Sequence, residues 1–122
     1  SYKNSGQRCT AVKRSLVHTR IADAFIPRLV AKTAEYRCGN PADPETRVGT
    51  VIDEPAAIQL KAVLDEAIND GARLLTGGNR HGALFEPTVI TEVPMSFQSR
   101  IDARGMPLRF AIPSSVSPRR TV

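Results

Sequence analysis

The sequence predicts an α/β fold whose sheet is partly parallel and is flanked by helices. Apolar residues recur at helical spacing over 22–30 and 60–68. Short β-type runs lie at 15–18, 73–76 and 88–91. These segments follow one another as strand, helix, helix, strand, which is typical of an α/β layer. With 122 residues, 41% of them hydrophobic and 24% charged, the chain suits one globular domain with a modest core.

The first strand and helix are predicted from a buried run and an apolar stripe. Residues 15–18 form a short run bounded by charges, and Thr19 is expected to cap the following helix. Pro27 lies inside the helical pattern, where proline costs about 3 kcal/mol unless the helix kinks or restarts. Gly39 is expected to end this helix. The apolar stripe comprises Ala22, Phe25, Ile26, Leu29 and Val30.

The second helix has the strongest periodicity in the chain. Asp53 is expected to cap it, Pro55 is tolerated in its first turn, and Gly71 is expected to end it. Strands are then predicted over 73–76 and 88–91. The apolar residues at positions i, i+3, i+4, i+7 and i+8 are Leu60, Val63, Leu64, Ala67 and Ile68.

The C-terminal part has a different character. Residues 95–122 sustain neither the helical nor the strand period, and we predict a disordered or irregular tail after a domain spanning 1–94. Residues 93–122 hold five arginines and one acid, so most of the net charge of +5 lies there. Because the basic charge is a property of the tail, it does not predict a nucleic-acid-binding surface. No apolar stretch approaches the roughly 20 residues of a membrane span.

The most informative motif for function is Asn-Ser-Gly-Gln-Arg-Cys-Thr, residues 4–10. A flexible turn delivers Cys9 to an apolar run at 10–12, which predicts a helix start whose dipole favours a reactive thiolate. Cys38 is expected to be a bystander at a helix end, although a disulfide between the two cysteines stays open. No cysteine or histidine pair has zinc-ligand spacing, so no metal site is predicted.

The motif and its flanks resemble the NAD(P)-dependent aldehyde dehydrogenases, and on that resemblance Cys9 corresponds to the catalytic cysteine. The resemblance covers residues 1 to about 94 and implies that the chain is part of the family's catalytic domain. The flanking segments that resemble the family occur in the expected order. They are residues 21–25, 39–41, 48–52, 71–78 and 86–90.

The resemblance implies a mechanism for a complete parent protein acting on a small-molecule aldehyde. The thiolate attacks the aldehyde to give a thiohemiacetal, hydride passes to NAD or NADP, and water activated by a glutamate hydrolyses the thioester. The Cys9 backbone N–H would form half of the oxyanion site, and an upstream asparagine the other half. The parent is expected to be a cytoplasmic homo-oligomer without nucleic-acid or membrane partners.

Several family segments are missing, so the chain is expected to be a piece of a longer protein that is inactive alone and binds no cofactor. The dinucleotide-binding domain, the upstream glutamate and the downstream Glu-Glu-x-Phe-Gly-Pro segment are not found. Codons that encode residues 103–106 can also encode Arg-Glu-Glu in a neighbouring reading frame, which would supply the two glutamates of the missing segment. This suggests that the tail is a frameshifted translation of an intact gene. The alternatives are a truncated module that binds partners or interferes with oligomers, and a thiol protein that works without nicotinamide.

Arg8 is the candidate substrate-binding residue. The form Gly-Gln-Arg-Cys-Thr-Ala-Val-Lys resembles family members acting on phosphorylated or phosphonylated aldehydes, namely non-phosphorylating glyceraldehyde-3-phosphate dehydrogenase and phosphonoacetaldehyde dehydrogenase. The resemblance implies that Arg8 binds the anionic group, for which a guanidinium is well suited. The alternative is a surface ion pair or a solvated side chain.

Overall fold

The computed structural model describes residues 2–12, 14–94, 97 and 110–114. A short 3-10 helix, Lys3–Gly6, precedes the regular elements. In chain order these elements are β1 (Arg14–His18), α1 (Thr19–Ala34), α2 (Glu54–Asn69), β2 (Arg73–Thr76), β3 (Arg80–His81), β4 (Leu84–Phe85), β5 (Val89–Thr91) and β6 (Phe110–Ser114).

The four-stranded sheet has the order β1-β6-β5-β2. Strand β6 runs parallel to both of its neighbours, β1 and β5. Strand β2 pairs antiparallel with β5, and β3 and β4 form a separate antiparallel hairpin. The predicted α/β fold with a partly parallel sheet is therefore confirmed.

The two helices flank the sheet. Helix α1 packs against β1, β2 and β6, and α2 packs against the β3–β4 hairpin. Strand β5 is buried at all three positions. Because side chains alternate along a strand, Ile90 points away from Val89 and Thr91 and joins the core around α2. Thr91 instead lines a groove together with residues of α1.

Helix α1 differs from its prediction at both ends. Its N-cap is His18, whose Nδ1 accepts a hydrogen bond from Arg20 N at 3.1 Å, so the predicted Thr19 cap is wrong by one residue. The helix ends at Ala34, and the predicted end at Gly39 is also wrong. The Gly39 N–H donates to Val48 O at 3.1 Å, so this residue belongs to a long-range backbone pairing.

The predicted apolar stripe of α1 is only partly covered. Ala22 is buried, whereas Phe25 is 37% exposed. The helix continues through Pro27, which has no N–H to donate to the carbonyl of Asp23 one turn earlier. Helix α1 therefore contributes less to the core than its periodicity predicts.

Helix α2 follows its sequence pattern closely. Asp53 is the N-cap, and its Oδ1 accepts a hydrogen bond from Ala56 N at 2.8 Å. At the other end Gly71 has φ +107°, in the left-handed region that favours glycine, and donates to Ile68 O at 3.0 Å. The buried residues of the helix are Ala57, Leu60, Val63, Leu64 and Ala67.

Gly77, which closes β2, is the glycine with the tightest surroundings. It has φ +76°, and a Cβ at this position would lie 2.2 Å from Pro87 O. Its neighbour Gly78 donates its N–H to Thr88 Oγ1 at 2.9 Å. The close approach joins the end of β2 to the segment that leads into β5.

The prediction of a disordered or irregular tail is wrong at two places. Phe97 is 1% exposed and belongs to the hydrophobic core around α2. Phe110–Ser114 forms β6, which joins β1 to the rest of the sheet. The other residues of the tail lie outside the described residues. Both parallel pairings of the sheet therefore depend on a segment without a clear strand pattern.

Candidate active site

The motif at residues 4–10 forms a compact loop before β1. Three consecutive residues, Asn4, Ser5 and Gly6, have φ values of 54°, 52° and 76°. Positive φ is unfavourable for non-glycine residues and persists where the surroundings hold it. A hydrogen bond from Gln7 N to Asn4 O, at 3.0 Å, closes this turn.

Two side chains of the loop hydrogen-bond a segment more than 40 residues away. Ser5 Oγ donates to Gly49 O at 2.9 Å, and Ile52 N donates to Gln7 Oε1 at 2.8 Å. The hydroxyl of Tyr2 also hydrogen-bonds Thr33 Oγ1 of α1, at 3.0 Å. The loop is therefore attached to the body of the domain at two points, and the chain just before it at a third.

Cys9 lies in a tight turn and is exposed to solvent. Ala11 N donates to Arg8 O at 3.0 Å, and the chain then enters β1. The predicted helix start after Cys9 is therefore wrong, and with it the helix-dipole argument. Among the described residues, the Cys9 N–H has no hydrogen-bond partner, so a donor beside the thiol is available to a ligand.

Arg8 is also exposed and directly precedes the thiol. Within the part of the chain that the structure describes, no hydrogen bond or ion pair holds its guanidinium. The structure thus places the two predicted site residues, Arg8 and Cys9, side by side on one turn. The alternative in which Arg8 forms a surface ion pair finds no partner among these residues.

Cys38 has a different environment from Cys9. Both are free thiols, but Cys38 is half-buried beside a cavity of about 220 Å³ that Glu86 also lines. Burial raises the pKa of the Cys38 thiol, the Glu86 carboxylate raises it further, and a backbone hydrogen bond acts in the opposite direction. A raised pKa favours the protonated thiol of Cys38 at neutral pH, which is less reactive than a thiolate.

A larger groove of about 530 Å³ lies between α1 and the edge of the sheet formed by β2 and β5. Asp23, Arg73 and Glu92 line it, but Arg8 and Cys9 do not. Across the described ranges, no cluster of three or more His, Cys, Asp or Glu residues is placed to hold a metal. None of the described helices has the length and apolarity to cross a membrane.

The residues that hold the loop were not predicted from the sequence. Ser5 and Gln7 belong to the motif, but their spacing gives no indication of partners at Gly49 and Ile52. A resemblance at 48–52 was the only signal that this segment belongs near the site. In the structure the side chains of Ser5 and Gln7 bind backbone groups of Gly49 and Ile52. Because every residue carries such backbone groups, the sequence pattern does not indicate which of them will be the partners.

The sequence profile described as the aldehyde dehydrogenase family matches residues 1–100. Vanillin dehydrogenase from Pseudomonas fluorescens is 40% identical over 98 residues, which are 80% of this chain and 20% of that protein. 3-Sulfolactaldehyde dehydrogenase from Priestia aryabhattai is 40% identical over 93 residues, or 76% of this chain and 20% of that protein. The chain thus spans about a fifth of the length of these relatives.

Solved structures give the same result. A glyceraldehyde-3-phosphate dehydrogenase from Methanocaldococcus jannaschii, complexed with NADP, superimposes with a TM-score of 0.82 at 35% identity. The superposition covers 90% of this chain and 24% of that one. Sequence and fold agree over most of the chain, and this chain therefore belongs to the aldehyde dehydrogenase family.

Proposed function

We propose that this chain supplies the nucleophile loop of an NAD(P)-dependent aldehyde dehydrogenase, with Cys9 as the nucleophile. The observation that carries the proposal is the exposed turn at Arg8–Ala11, held at its base by Ser5 and Gln7. Family membership supports the reaction class, because the relatives named above are aldehyde dehydrogenases.

The chemistry proposed for Cys9 uses two neighbouring groups. Its Sγ, as the thiolate, forms a bond to the aldehyde carbon, and the carbonyl oxygen becomes an oxyanion. The Cys9 N–H, which has no hydrogen-bond partner among the residues that the structure describes, is the donor proposed to stabilise that charge. After oxidation the acyl group is a thioester on Cys9, and water releases it as a carboxylate and restores the thiol.

We propose that the described residues do not form a dinucleotide site by themselves. The groove near Arg73 and the cavity near Cys38 are both lined without Cys9, and neither brings a glycine-rich phosphate loop to the thiol. NAD or NADP, bound by other parts of a complete protein, would supply the hydride acceptor. The 122-residue chain alone is therefore proposed to be inactive and to bind neither cofactor.

Arg8 is proposed to bind an anionic group of the substrate. Two of the proteins named above are named after aldehydes with such a group. One is 3-sulfolactaldehyde dehydrogenase, whose name contains a sulfo group, and the other is glyceraldehyde-3-phosphate dehydrogenase, whose name contains a phosphate. Arg8 is exposed and directly precedes Cys9, which supports the proposal that its guanidinium meets an anion on an aldehyde bound at the thiol. A phosphate, phosphonate or sulfonate offers the tetrahedral oxygens that a guanidinium hydrogen-bonds well.

The first prediction concerns the nucleophile in a complete enzyme that contains this chain. Cys9→Ser should abolish aldehyde-dependent reduction of NAD(P), because serine at neutral pH provides no thiolate. Cys38→Ser is the matched control and should retain the activity. The measurement is NAD(P)H formation at 340 nm under saturating aldehyde. Equal loss in both variants, or activity in Cys9→Ser, would contradict the assignment.

The second prediction concerns substrate choice in the same complete enzyme. Charge-assisted hydrogen bonds contribute about 1.5–3 kcal/mol, which corresponds to roughly ten- to a hundred-fold in kcat/KM. Arg8→Ala should lower kcat/KM by that factor for glyceraldehyde 3-phosphate or phosphonoacetaldehyde, and much less for propanal. An equal reduction for both classes would mean that Arg8 serves the loop rather than the substrate.

A further inference from the structure

The loop that carries Cys9 is strained, and the strain is located at its base. Asn4 and Ser5 both have positive φ, at 54° and 52°, before Gly6 continues the left-handed course. Left-handed backbone is unfavourable for each such non-glycine residue, and less so for asparagine than for serine. A loop of this shape persists only if contacts outside it compensate.

Those contacts lead to a well-anchored segment. Gly49, the partner of Ser5, directly follows the buried Val48. Ile52, the partner of Gln7, directly follows the buried Val51. Val51 N donates to Ala83 O at 2.9 Å, which fixes the segment against the β3–β4 hairpin. The hydrogen bonds of the loop therefore end on a segment that contributes Val51 to the hydrophobic core, although Ile52 itself is exposed.

The distance along the chain between the anchors is short. Gln7 holds one end of the turn that carries Cys9, and β1 begins at Arg14 on the other side. Between them the Arg8–Ala11 turn has one internal backbone hydrogen bond. Loss of the anchor at Gln7 would leave the turn that carries Cys9 attached through the more distant Ser5 on one side and through β1 on the other.

We propose that Gln7, assisted by Ser5, is a positioning residue that fixes the orientation of the Arg8–Cys9 turn. Its side chain acts through the hydrogen bond from Ile52 N to Oε1, and it does not touch the substrate. This inference rests on the proposed role of Cys9, since the orientation matters for catalysis only if Cys9 is the nucleophile. The contact itself is tested without any activity measurement.

The experiment uses the full 122-residue chain in a Cys38→Ser background, with a nitroxide spin label on Cys9. In Gln7→Leu the label should become more mobile in the electron paramagnetic resonance spectrum. Amide hydrogen exchange at Ile52 should become about two- to ten-fold faster, the range expected for one net hydrogen bond. Gln7→Glu keeps an acceptor oxygen for Ile52 N and should restore both measurements.

Gln59→Leu, on the exposed face of α2, is the matched control and should leave both measurements unchanged. The proposal is overturned if Gln7→Leu leaves the label and Ile52 exchange unaltered, or if Gln59→Leu changes them equally. If amide exchange at the core residue Leu64 also accelerates in Gln7→Leu, the substitution has destabilised the whole domain and not only the loop contact. Ser5→Ala then decides, through the same two measurements.

A complete enzyme containing the chain adds a kinetic test. Gln7→Leu should lower kcat and leave KM for propanal unchanged, because the substrate is still bound but the thiol is misplaced. An effect on KM alone would contradict a positioning role. Failure of Cys9 as nucleophile would instead appear as activity in Cys9→Ser, so the two hypotheses fail in different experiments.

Discussion

Deletion of residues 95–122 is expected to abolish the cooperative unfolding transition of the chain. The deletion removes β6, which lies between β1 and β5 and makes both parallel pairings of the sheet. It also removes Phe97, which is 1% exposed in the core. Urea denaturation followed by far-ultraviolet circular dichroism measures the effect. An unchanged midpoint and slope would show that the body folds without the tail.

A point substitution separates the contribution of Phe97 from that of β6. Phe97→Ala in the full chain should lower the free energy of unfolding by about 3–5 kcal/mol, as is typical of buried aromatic residues. Phe25→Ala on α1 makes the same chemical change at a side chain that is 37% exposed, and its cost should be clearly smaller. Equal costs at the two positions would contradict the burial of Phe97.

Leu64→Ala is expected to lower the free energy of unfolding by about 2–5 kcal/mol. Leu64 is 1% exposed and lies in the core cluster of α2, so its removal loses apolar burial and leaves a cavity. Because most small domains have only about 5–15 kcal/mol of stability, this change removes a large share of it. The measurement is the urea midpoint and slope of the purified chain.

Ile58→Ala provides the control on the same helix. Ile58 is 49% exposed, so the substitution should change the free energy of unfolding by only about 0.5 kcal/mol. A small effect at Leu64, comparable with that at Ile58, would show that the periodicity of α2 does not correspond to its buried face.

The sequence alone was sufficient where the determining interactions are local. Helix α2 was predicted from the Asp53 cap, the spacing of its apolar residues and the glycine at 71, all within one segment. Strands β1, β2 and β5 followed from short apolar runs between turn residues. The candidate site residues Arg8 and Cys9 came from a contiguous motif, and the resemblance led to the family that the comparisons confirm. The division at residue 94 and the frameshifted tail stay predictions.

Other features depended on partners far away in the sequence. Strand β6 contains Pro113 and has no alternating pattern, yet it pairs with β1 along its length. Strand β6 pairs with β5 at Phe110. Pro113 lies beyond this pairing, so no hydrogen bond from residue 113 to a described strand is required on the β5 side, and a proline without an N–H is tolerated there. Likewise, the apolar run after Cys9 reads as a helix start, but β1 begins too soon for a helix to form.

The geometry of the candidate site shows the same division. A local motif identified the thiol and its neighbouring guanidinium, because both are given by residue type and order. The tertiary structure decided how the turn is held, through the hydrogen bonds from Ser5 to Gly49 and from Ile52 to Gln7. Those bonds use backbone groups more than 40 residues away, and every residue carries such groups. Only the fold determines which of them meet.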